Sequence, residues 1–202
     1  MLGMVLEYFG HRQEALHHLE HAKLKTMGSI YYTDACYSIA IVHYHENRLP
    51  EAMDAVKEAW KHAELGNSLV NQAQISLMFS VILFSANRDM EAWKYIEISL
   101  MKNSHLGNQL GIATALEYMG YGHLRRGDYL NAYDAYKAAA EYYLCTVSEV
   151  SGGTTGYTRC KDNTAKIKDK QSNPDLNVGF EKPLKDKDWL FFFYPAVQDI
   201  SR

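Results

Sequence analysis

The sequence predicts an all-α protein, a right-handed α-α superhelix (solenoid) of about four helical hairpins plus a C-terminal capping helix and an irregular tail. Three observations predict this class. Small residues recur at a nearly fixed period along residues 1–144. A glycine- or asparagine-containing turn recurs at the same period. Each copy also places apolar and small side chains at i, i+4 and i+7, which is one face of an α-helix.

The strongest marker is an alanine in the second helix of each predicted hairpin. Four such alanines lie 37, 40 and 40 residues apart. A larger residue follows four positions later and a small residue seven positions later, so each second helix has one face that must be buried. The anchor alanines are Ala15, Ala52, Ala92 and Ala132; the residues four later are Leu19, Val56, Ile96 and Tyr136; the residues seven later are Ala22, Ala59, Ser99 and Ala139.

Small residues and turns complete each copy. A small residue in the first helix lets the two helices approach closely, and a turn residue that tolerates the left-handed conformation ends that helix. The two sets are Gly3, Ala40, Ser80 and Gly120 in the helices, and Gly10, Asn47, Asn87 and Gly127 in the turns. A Leu-Gly-Asn turn follows two of the hairpins, at residues 65–67 and 106–108. Such hairpins cannot bury their faces alone, so they must stack.

This pattern resembles the tetratricopeptide repeat in its longer variety of about 40 residues. The match covers residues 1–144 and is strongest in GDYLNAYDAYKAAAEYY. The resemblance implies a protein-interaction scaffold that binds a protein or peptide partner and is not an enzyme. The stretch ALEYMGYGHLRRGDYLNAYDAYKAAAEYYLCT, with the basic CKDNTAKIKDKQ after it, also resembles the C-terminal repeat region of fungal signal-transduction ATPases.

The chain divides into three predicted parts. Residues 1–144 hold the repeats, and the first repeat is truncated because it begins inside its first helix. Two interpretations of this truncation stay open: the chain is a fragment of a larger protein with upstream domains, or it is a shortened gene product. Residues 145–171 hold a flexible joint, SEVSGGTTG, and a capping helix over residues 157–171 with Cys160 and Ile167 inward. Residues 172–202 form the irregular tail, which starts at the helix stop Asn173-Pro174.

The tail ends in an aromatic run, WLFFFYP at residues 189–195. Three interpretations stay open. The run docks on the repeats, it anchors a partner or a membrane, or it is an aggregation-prone stretch without function. We favour docking. A membrane- or vesicle-associated adaptor that uses this run is the alternative to the scaffold function.

Composition narrows the classes of function. The 202 residues carry a formal net charge of -3, so no basic excess indicates nucleic acid as a partner. Three cysteines without metal-ligand or redox spacing favour a reducing, cytoplasmic location. No apolar run reaches the roughly 18 residues that span a bilayer. We expect a cytoplasmic chain with no cofactor.

Sequence motifs for catalysis or metal binding are weak. Residues 152–158 have the glycine spacing of a phosphate-binding loop, but Tyr157 stands where the lysine belongs. His17 and His21 are spaced i, i+4, yet no further ligand completes a tetrahedral set, so a solvated helix surface is the better interpretation. We predict no catalytic residue and no metal site.

The resemblance also implies that the first helix of each hairpin lines a concave groove. Tyr37 and Ile41 stand where a carboxylate clamp for chaperone tails would need lysine and asparagine, so that activity is not expected. A tyrosine-rich wall suits an extended or helical apolar peptide; packing of these aromatics against the next hairpin is the equal alternative. The candidate groove residues are Tyr8, Asp34, Tyr37, Tyr44, Gln74, Phe84, Glu117, Tyr121 and Arg125.

Overall fold

The computed structural model describes residues 2–29, 31–146 and 151–183, except for the side chains of Tyr8 and residues 151–154. Within these ranges every regular element is an α-helix. The chain forms two compact units, unit 1 from Met1–Lys102 and unit 2 from Asn103–Arg202. The helices are α1 (Leu2–Tyr8), α2 (Arg12–Lys25), α3 (Tyr31–His45), α4 (Leu49–Leu65), α5 (Leu69–Ser85), α6 (Asp89–Leu106), α7 (Gln109–Arg125), α8 (Tyr129–Thr146) and α9 (Ser151–Ser172).

The predicted turns end the first helix of each hairpin in the left-handed conformation. All four predicted turn residues have positive φ, namely Gly10 (83°), Asn47 (59°), Asn87 (58°) and Gly127 (74°). Asparagine tolerates this region better than other residues with a side chain, which explains why it takes the place of glycine in two of the turns. The helix-ending prediction is confirmed for each of these turns.

The anchor alanines occupy the core of each hairpin. Ala15, Ala52, Ala92 and Ala132 are all fully buried. The close approach predicted for the small residues is also present, because a Cβ added to Gly3 would lie 2.8 Å from Leu19 Cγ. A Cβ on Gly120 would lie 3.0 Å from the ring of Tyr136. Small residues in the first helix therefore face the larger residue of the second helix.

Unit 1 contains α1 to α5 and most of α6, with consecutive hairpins in contact. The first helices α3 and α5 also touch each other. There the Ser85 hydroxyl donates to the Tyr44 hydroxyl at 3.3 Å. Within the hairpin α5–α6, the Ser99 hydroxyl of α6 donates to the Ala73 carbonyl of α5 at 2.9 Å. Packing of first helix on first helix is the arrangement that the repeat requires.

Unit 2 contains the hairpin α7–α8 and the long helix α9, which packs on α8. The sequence placed the start of the final helix at residue 157, whereas α9 begins at Ser151 and includes the glycines expected in a flexible joint. Gly156 explains the difference, since a Cβ there would lie 2.5 Å from the Tyr143 ring. The glycine thus permits close helix packing. Cys160 and Ile167 are fully buried, as predicted.

The aromatic run at residues 189–195 lies outside the described residues, so its docking stays a prediction. Among the helices that the structure describes, none is both long and apolar enough to cross a bilayer. The predicted part limits at residues 144 and 171 also stay predictions.

Candidate peptide-binding site

A buried ion pair fixes α9 against α7 in unit 2. Arg159 Nε lies 2.5 Å from Glu117 Oε1, and Arg159 Nη2 lies 2.9 Å from Oε2. Glu117 is fully buried and Arg159 is 3% exposed. The Tyr143 hydroxyl of α8 donates to Glu117 Oε2 at 2.7 Å. The carboxylate therefore ties all three helices of the unit together, because a buried charge is tolerated only with such partners.

Burial of this cluster shifts its titratable groups. Loss of hydration raises the pKa of Tyr143 well above its ordinary value, and the neighbouring Glu117 carboxylate adds to the effect. Burial also raises the pKa of the Cys160 thiol, again with help from Glu117. Both groups stay protonated at neutral pH, so neither supplies a nucleophile or a base.

After α9 the chain reverses direction in a turn that a lysine side chain holds. Lys170 Nζ donates to the Pro174 carbonyl at 2.5 Å and to the Leu176 carbonyl at 2.9 Å. The backbone amide of Leu176 also donates to the Asn173 carbonyl at 3.0 Å. Proline after the helix prevents its continuation. The turn sends residues 178–183 back along unit 2.

The side chain of Asn163 in α9 binds the backbone of this returning segment. Its Oδ1 accepts from the Glu181 amide at 2.9 Å, and its Nδ2 donates to the Glu181 carbonyl at 3.0 Å. Asn163 is fully buried. A carboxamide offers one acceptor and two donors, so it can satisfy both polar groups of one peptide residue as a neighbouring β-strand would.

Two further contacts hold the segment on either side of Glu181. The Tyr118 hydroxyl of α7 donates to the Pro183 carbonyl at 3.4 Å. Phe180 packs against the core of the unit, with its ring centroid 6.3 Å from that of Tyr129 at the start of α8. We call residues Tyr118, Tyr129 and Asn163 the backbone-binding site. It receives an extended segment through main-chain groups and one aromatic side chain.

The predicted groove residues of unit 2 differ in burial and in contacts. Glu117 belongs to the buried ion pair and has no surface. Tyr121 is half-buried, and the exposed Arg125 guanidinium lies 5.8 Å from its ring centroid. Arg125 also donates to the Tyr121 hydroxyl at 3.5 Å. Tyr121 and Arg125 therefore present a polar, aromatic surface, while Glu117 organises the helices below.

The predicted groove residues of unit 1 divide by burial. Tyr37 is 3% exposed and Phe84 2% exposed, so both pack inside the unit. Tyr44 and Gln74 are half-buried, and Asp34 is exposed. Tyr8 belongs to α1, but its side chain lies outside the described residues. The role of all nine candidates in peptide binding stays a prediction.

Asp34 lines a cleft of about 490 Å³ in unit 1, together with His62, Ser68 and Asn71. Partial burial raises the pKa of the Asp34 carboxyl above its ordinary value. The Ser68 hydroxyl already accepts from the Asn71 amide at 3.3 Å as the N-cap of α5. The cleft walls thus combine an acidic carboxyl group with a helix end whose backbone amide already has a hydrogen-bond partner within the protein.

Sequence reasoning missed Tyr118 and Asn163. The signal for Asn163 was present, because Cys160, Asn163 and Ile167 follow i, i+3, i+7 spacing and share the inward face of α9. A polar amide on an apolar face must find partners when it is buried. The sequence did not identify Glu181 as the partner of Asn163, because Glu181 lies in an irregular segment.

The histidines do not form a metal centre in the part of the chain that the structure covers. No group of three or more His, Cys, Asp or Glu side chains is placed to hold one ion in those ranges. His17 and His21 are exposed on α2. His45 instead turns inward, with Nδ1 2.5 Å from Glu7 Oε1.

Comparison with known proteins bears on the fold. No family model matches the chain, and no curated protein matches it closely. Among solved structures, the crystal structure of BtubC (BKLC) from P. vanneervenii is similar, with a TM-score of 0.63 and 14% identity over 91% of this chain and 84% of that chain. An identity this low shows fold alone. The likeness confirms the predicted all-α solenoid fold.

Proposed function

We propose that the protein is a non-catalytic interaction scaffold that binds an extended peptide segment of a partner through the backbone-binding site of unit 2. One observation carries the proposal. The buried Asn163 carboxamide holds both the amide and the carbonyl of Glu181. The site binds main-chain groups, and such recognition does not depend on the side chain at that position.

The contacts favour binding of modest affinity. Each hydrogen bond contributes about 1 kcal/mol net, and a partly buried aromatic side chain adds about 1–2 kcal/mol. These contributions sum to no more than about 5 kcal/mol before the entropy lost on association, so an isolated peptide is expected to bind with a dissociation constant no tighter than about 200 μM. Affinity in this range suits a scaffold that exchanges partners.

A longer partner has room for contacts beyond the backbone-binding site. The exposed Arg125 and the half-buried Tyr121 lie on α7, the helix that also supplies Tyr118. Arginine and tyrosine are the residue types that interfaces favour, since they bring large contact area with directional polar groups. We include these two predicted residues in the partner-binding surface.

A displayed random-peptide library, selected on the full chain, tests this function. The test variant is Asn163→Ala, which lacks the carboxamide. The matched control is Thr164→Ala in the same helix turn, because the Thr164 hydroxyl donates to the Lys161 carbonyl within α9. We expect peptides enriched on the wild type and on Thr164→Ala to bind Asn163→Ala about fivefold more weakly. Selection of no peptide, or equal binding by all three forms, contradicts the proposal. Circular dichroism confirms that each variant is folded.

The wider role follows from the sequence resemblance. We propose that the scaffold is the repeat portion of a larger cytoplasmic regulatory protein, of the kind that fungal signal-transduction ATPases represent. The support is the similarity of residues 115–146 and of the basic stretch at residues 160–171 to that repeat region. A genomic reading frame continuous with Met1 that encodes a phosphate-binding loop tests this role, and a stop codon directly upstream contradicts it.

A further inference from the structure

We propose that residues 178–183 act as a built-in competitor for the backbone-binding site. A partner peptide then binds by displacing them, and the preferred partner has an aromatic residue where Phe180 stands and a proline where Pro183 stands. The inference rests on the proposed function of the site. It adds the regulation of that site and the chemical class of its ligand.

The segment is attached to unit 2 in the manner of a bound peptide. Of its residues, Gly179 and Lys182 are exposed, and Val178, Phe180 and Glu181 are only half-buried. By contrast, Cys160 and Ile167 of α9 are fully buried. Pro183 is the one buried residue of the segment, so removal of the segment from the site exposes far less apolar surface than removal of a helix.

The contacts define what a competing peptide must offer. Asn163 binds the main-chain amide and carbonyl of Glu181, so a proline, which has no amide, does not fit there. Phe180 packs beside Tyr129 on the apolar cluster of the unit, which favours an aromatic residue at this position. Pro183 is buried, and only its carbonyl is bonded, by Tyr118. A partner peptide with proline at this position loses no hydrogen bond, because the site binds only the carbonyl of that residue.

The turn after α9 sets the strength of the competition. Only residues 173–177 separate the helix from the bound segment, and Lys170 holds that turn through the Pro174 and Leu176 carbonyls. A short tether of this kind gives an effective concentration of about 1 mM. If the free peptide binds with a dissociation constant of about 200 μM, the tethered segment weakens binding from solution by about fivefold.

A proline in place of Glu181 separates the segment from its site. Glu181→Pro removes the amide that donates to Asn163 Oδ1 and puts a ring carbon in its place. Glu181→Ala is the matched control, because it removes the side chain and keeps the amide. The probe is a fluorescein-labelled peptide with the sequence of residues 175–183, titrated into each full-length protein and followed by fluorescence polarisation. A second labelled peptide carries proline at the position of Glu181.

We expect the Glu181→Pro protein to bind the first peptide about fivefold more tightly than the wild type, and the Glu181→Ala protein to match the wild type. Lys170→Ala, which frees the turn, should shift the affinity in the same direction as Glu181→Pro. The second peptide should bind none of the proteins. Equal affinity of the Glu181→Pro and wild-type proteins, with unchanged helical content and Tm, overturns the proposal.

The result also separates this inference from the proposed function. If library-selected peptides bind the wild-type and Glu181→Pro proteins equally, the site exists but residues 178–183 do not compete for it. If Glu181→Pro binds the peptide of residues 175–183 but no library peptide binds any form, the site serves only the chain's own segment. The competitor inference then fails as a form of regulation together with the partner-binding function.

Discussion

Arg159 and Glu117 form a bidentate ion pair between α9 and α7 in which both charges are removed from water. The pair lies beside Asn163, one helical turn further along α9, so it determines where the backbone-binding site is held. A buried pair is stable only while both partners are present, because each charge alone would lose its hydration without compensation.

Replacement of Glu117 by alanine should lower the free energy of unfolding by about 3–5 kcal/mol, since Arg159 is left buried without its carboxylate. Glu141→Ala on the exposed face of α8 is the control and should change stability by less than about 0.5 kcal/mol. Urea-induced unfolding followed by circular dichroism measures both. Similar stabilities for the two variants would show that the pair does not hold the helices.

Replacing both partners should recover most of that loss. In the double variant Glu117→Met, Arg159→Met, no charge is buried and the two side chains fill similar volume, so stability should return to within about 1–2 kcal/mol of the wild type. The same unfolding measurement applies. A double variant as unstable as Glu117→Ala would mean that the Tyr143 hydroxyl, which donates to Glu117, also requires the carboxylate.

Gly156→Ala should destabilise the protein even though alanine favours helices. The added Cβ would lie 2.5 Å from the buried ring of Tyr143. Overpacking of this kind costs about 1–3 kcal/mol, which exceeds the gain of about 0.5–1 kcal/mol from replacing a helical glycine. Gly66→Ala, whose Cβ would meet its nearest neighbour at 3.4 Å, serves as the control. A rise in Tm for Gly156→Ala would contradict the close packing of α9 on α8.

The three cysteines should differ in their reaction with iodoacetamide. Cys36 and Cys160 are buried, and Cys145 is exposed. Burial raises the pKa of the Cys36 thiol to about 11, with a further contribution from the Glu58 carboxylate. Because the thiolate is the reactive form, only Cys145 should be alkylated in the native protein at about pH 8. Mass spectrometry should show one adduct in the native protein and three in guanidinium; rapid labelling of Cys36 would contradict its burial.

The network around Glu58 should make stability depend on pH. Glu58 accepts from the Tyr32 hydroxyl, and Lys23 Nζ donates to its Oε2 at 2.7 Å. Burial by itself would raise the pKa of the Glu58 carboxyl, but these two hydrogen bonds outweigh it and lower the pKa below its ordinary value. A carboxyl whose pKa is lower in the folded protein stabilises the fold above its unfolded pKa of about 4.3. That stabilisation is lost as the pH falls through the folded pKa.

Comparison of the wild type with Glu58→Gln isolates this contribution. The wild type should be the more stable protein between about pH 6 and pH 8, by a constant margin, and the margin should shrink below about pH 4. Urea unfolding at intervals of pH measures it for both proteins. A margin that stays unchanged down to about pH 3 would exclude Glu58 as the titrating group.

The hairpins were predictable from sequence because the residues that define them recur. Gly3 faces Leu19 and Gly120 faces Tyr136, as the repeat frame requires. Asn47 and Asn87 take the left-handed conformation where that frame demands a turn. Each of these features depends on local chain geometry, which is the same in every copy. A pattern repeated in sequence therefore fixes a pattern repeated in structure.

The backbone-binding site was not predictable in the same way. Glu117 was assigned to a groove from its register, but its partner Arg159 lies 42 residues away in a helix outside the repeat. The bond between Asn163 and Glu181 depends on how an irregular segment returns along unit 2. Gly156 suggested a flexible joint, whereas its lack of a side chain serves packing. Such contacts join elements whose relative register no periodicity sets.

The central claim is that Asn163 recognises the backbone of an extended peptide. Its most direct test is the affinity of the labelled peptide of residues 175–183 for the Glu181→Pro protein, with Asn163 present or replaced by alanine. The loss of two hydrogen bonds worth about 1 kcal/mol each predicts binding that is at least tenfold weaker in the Asn163→Ala, Glu181→Pro protein. Equal affinities of the two folded proteins would contradict the claim.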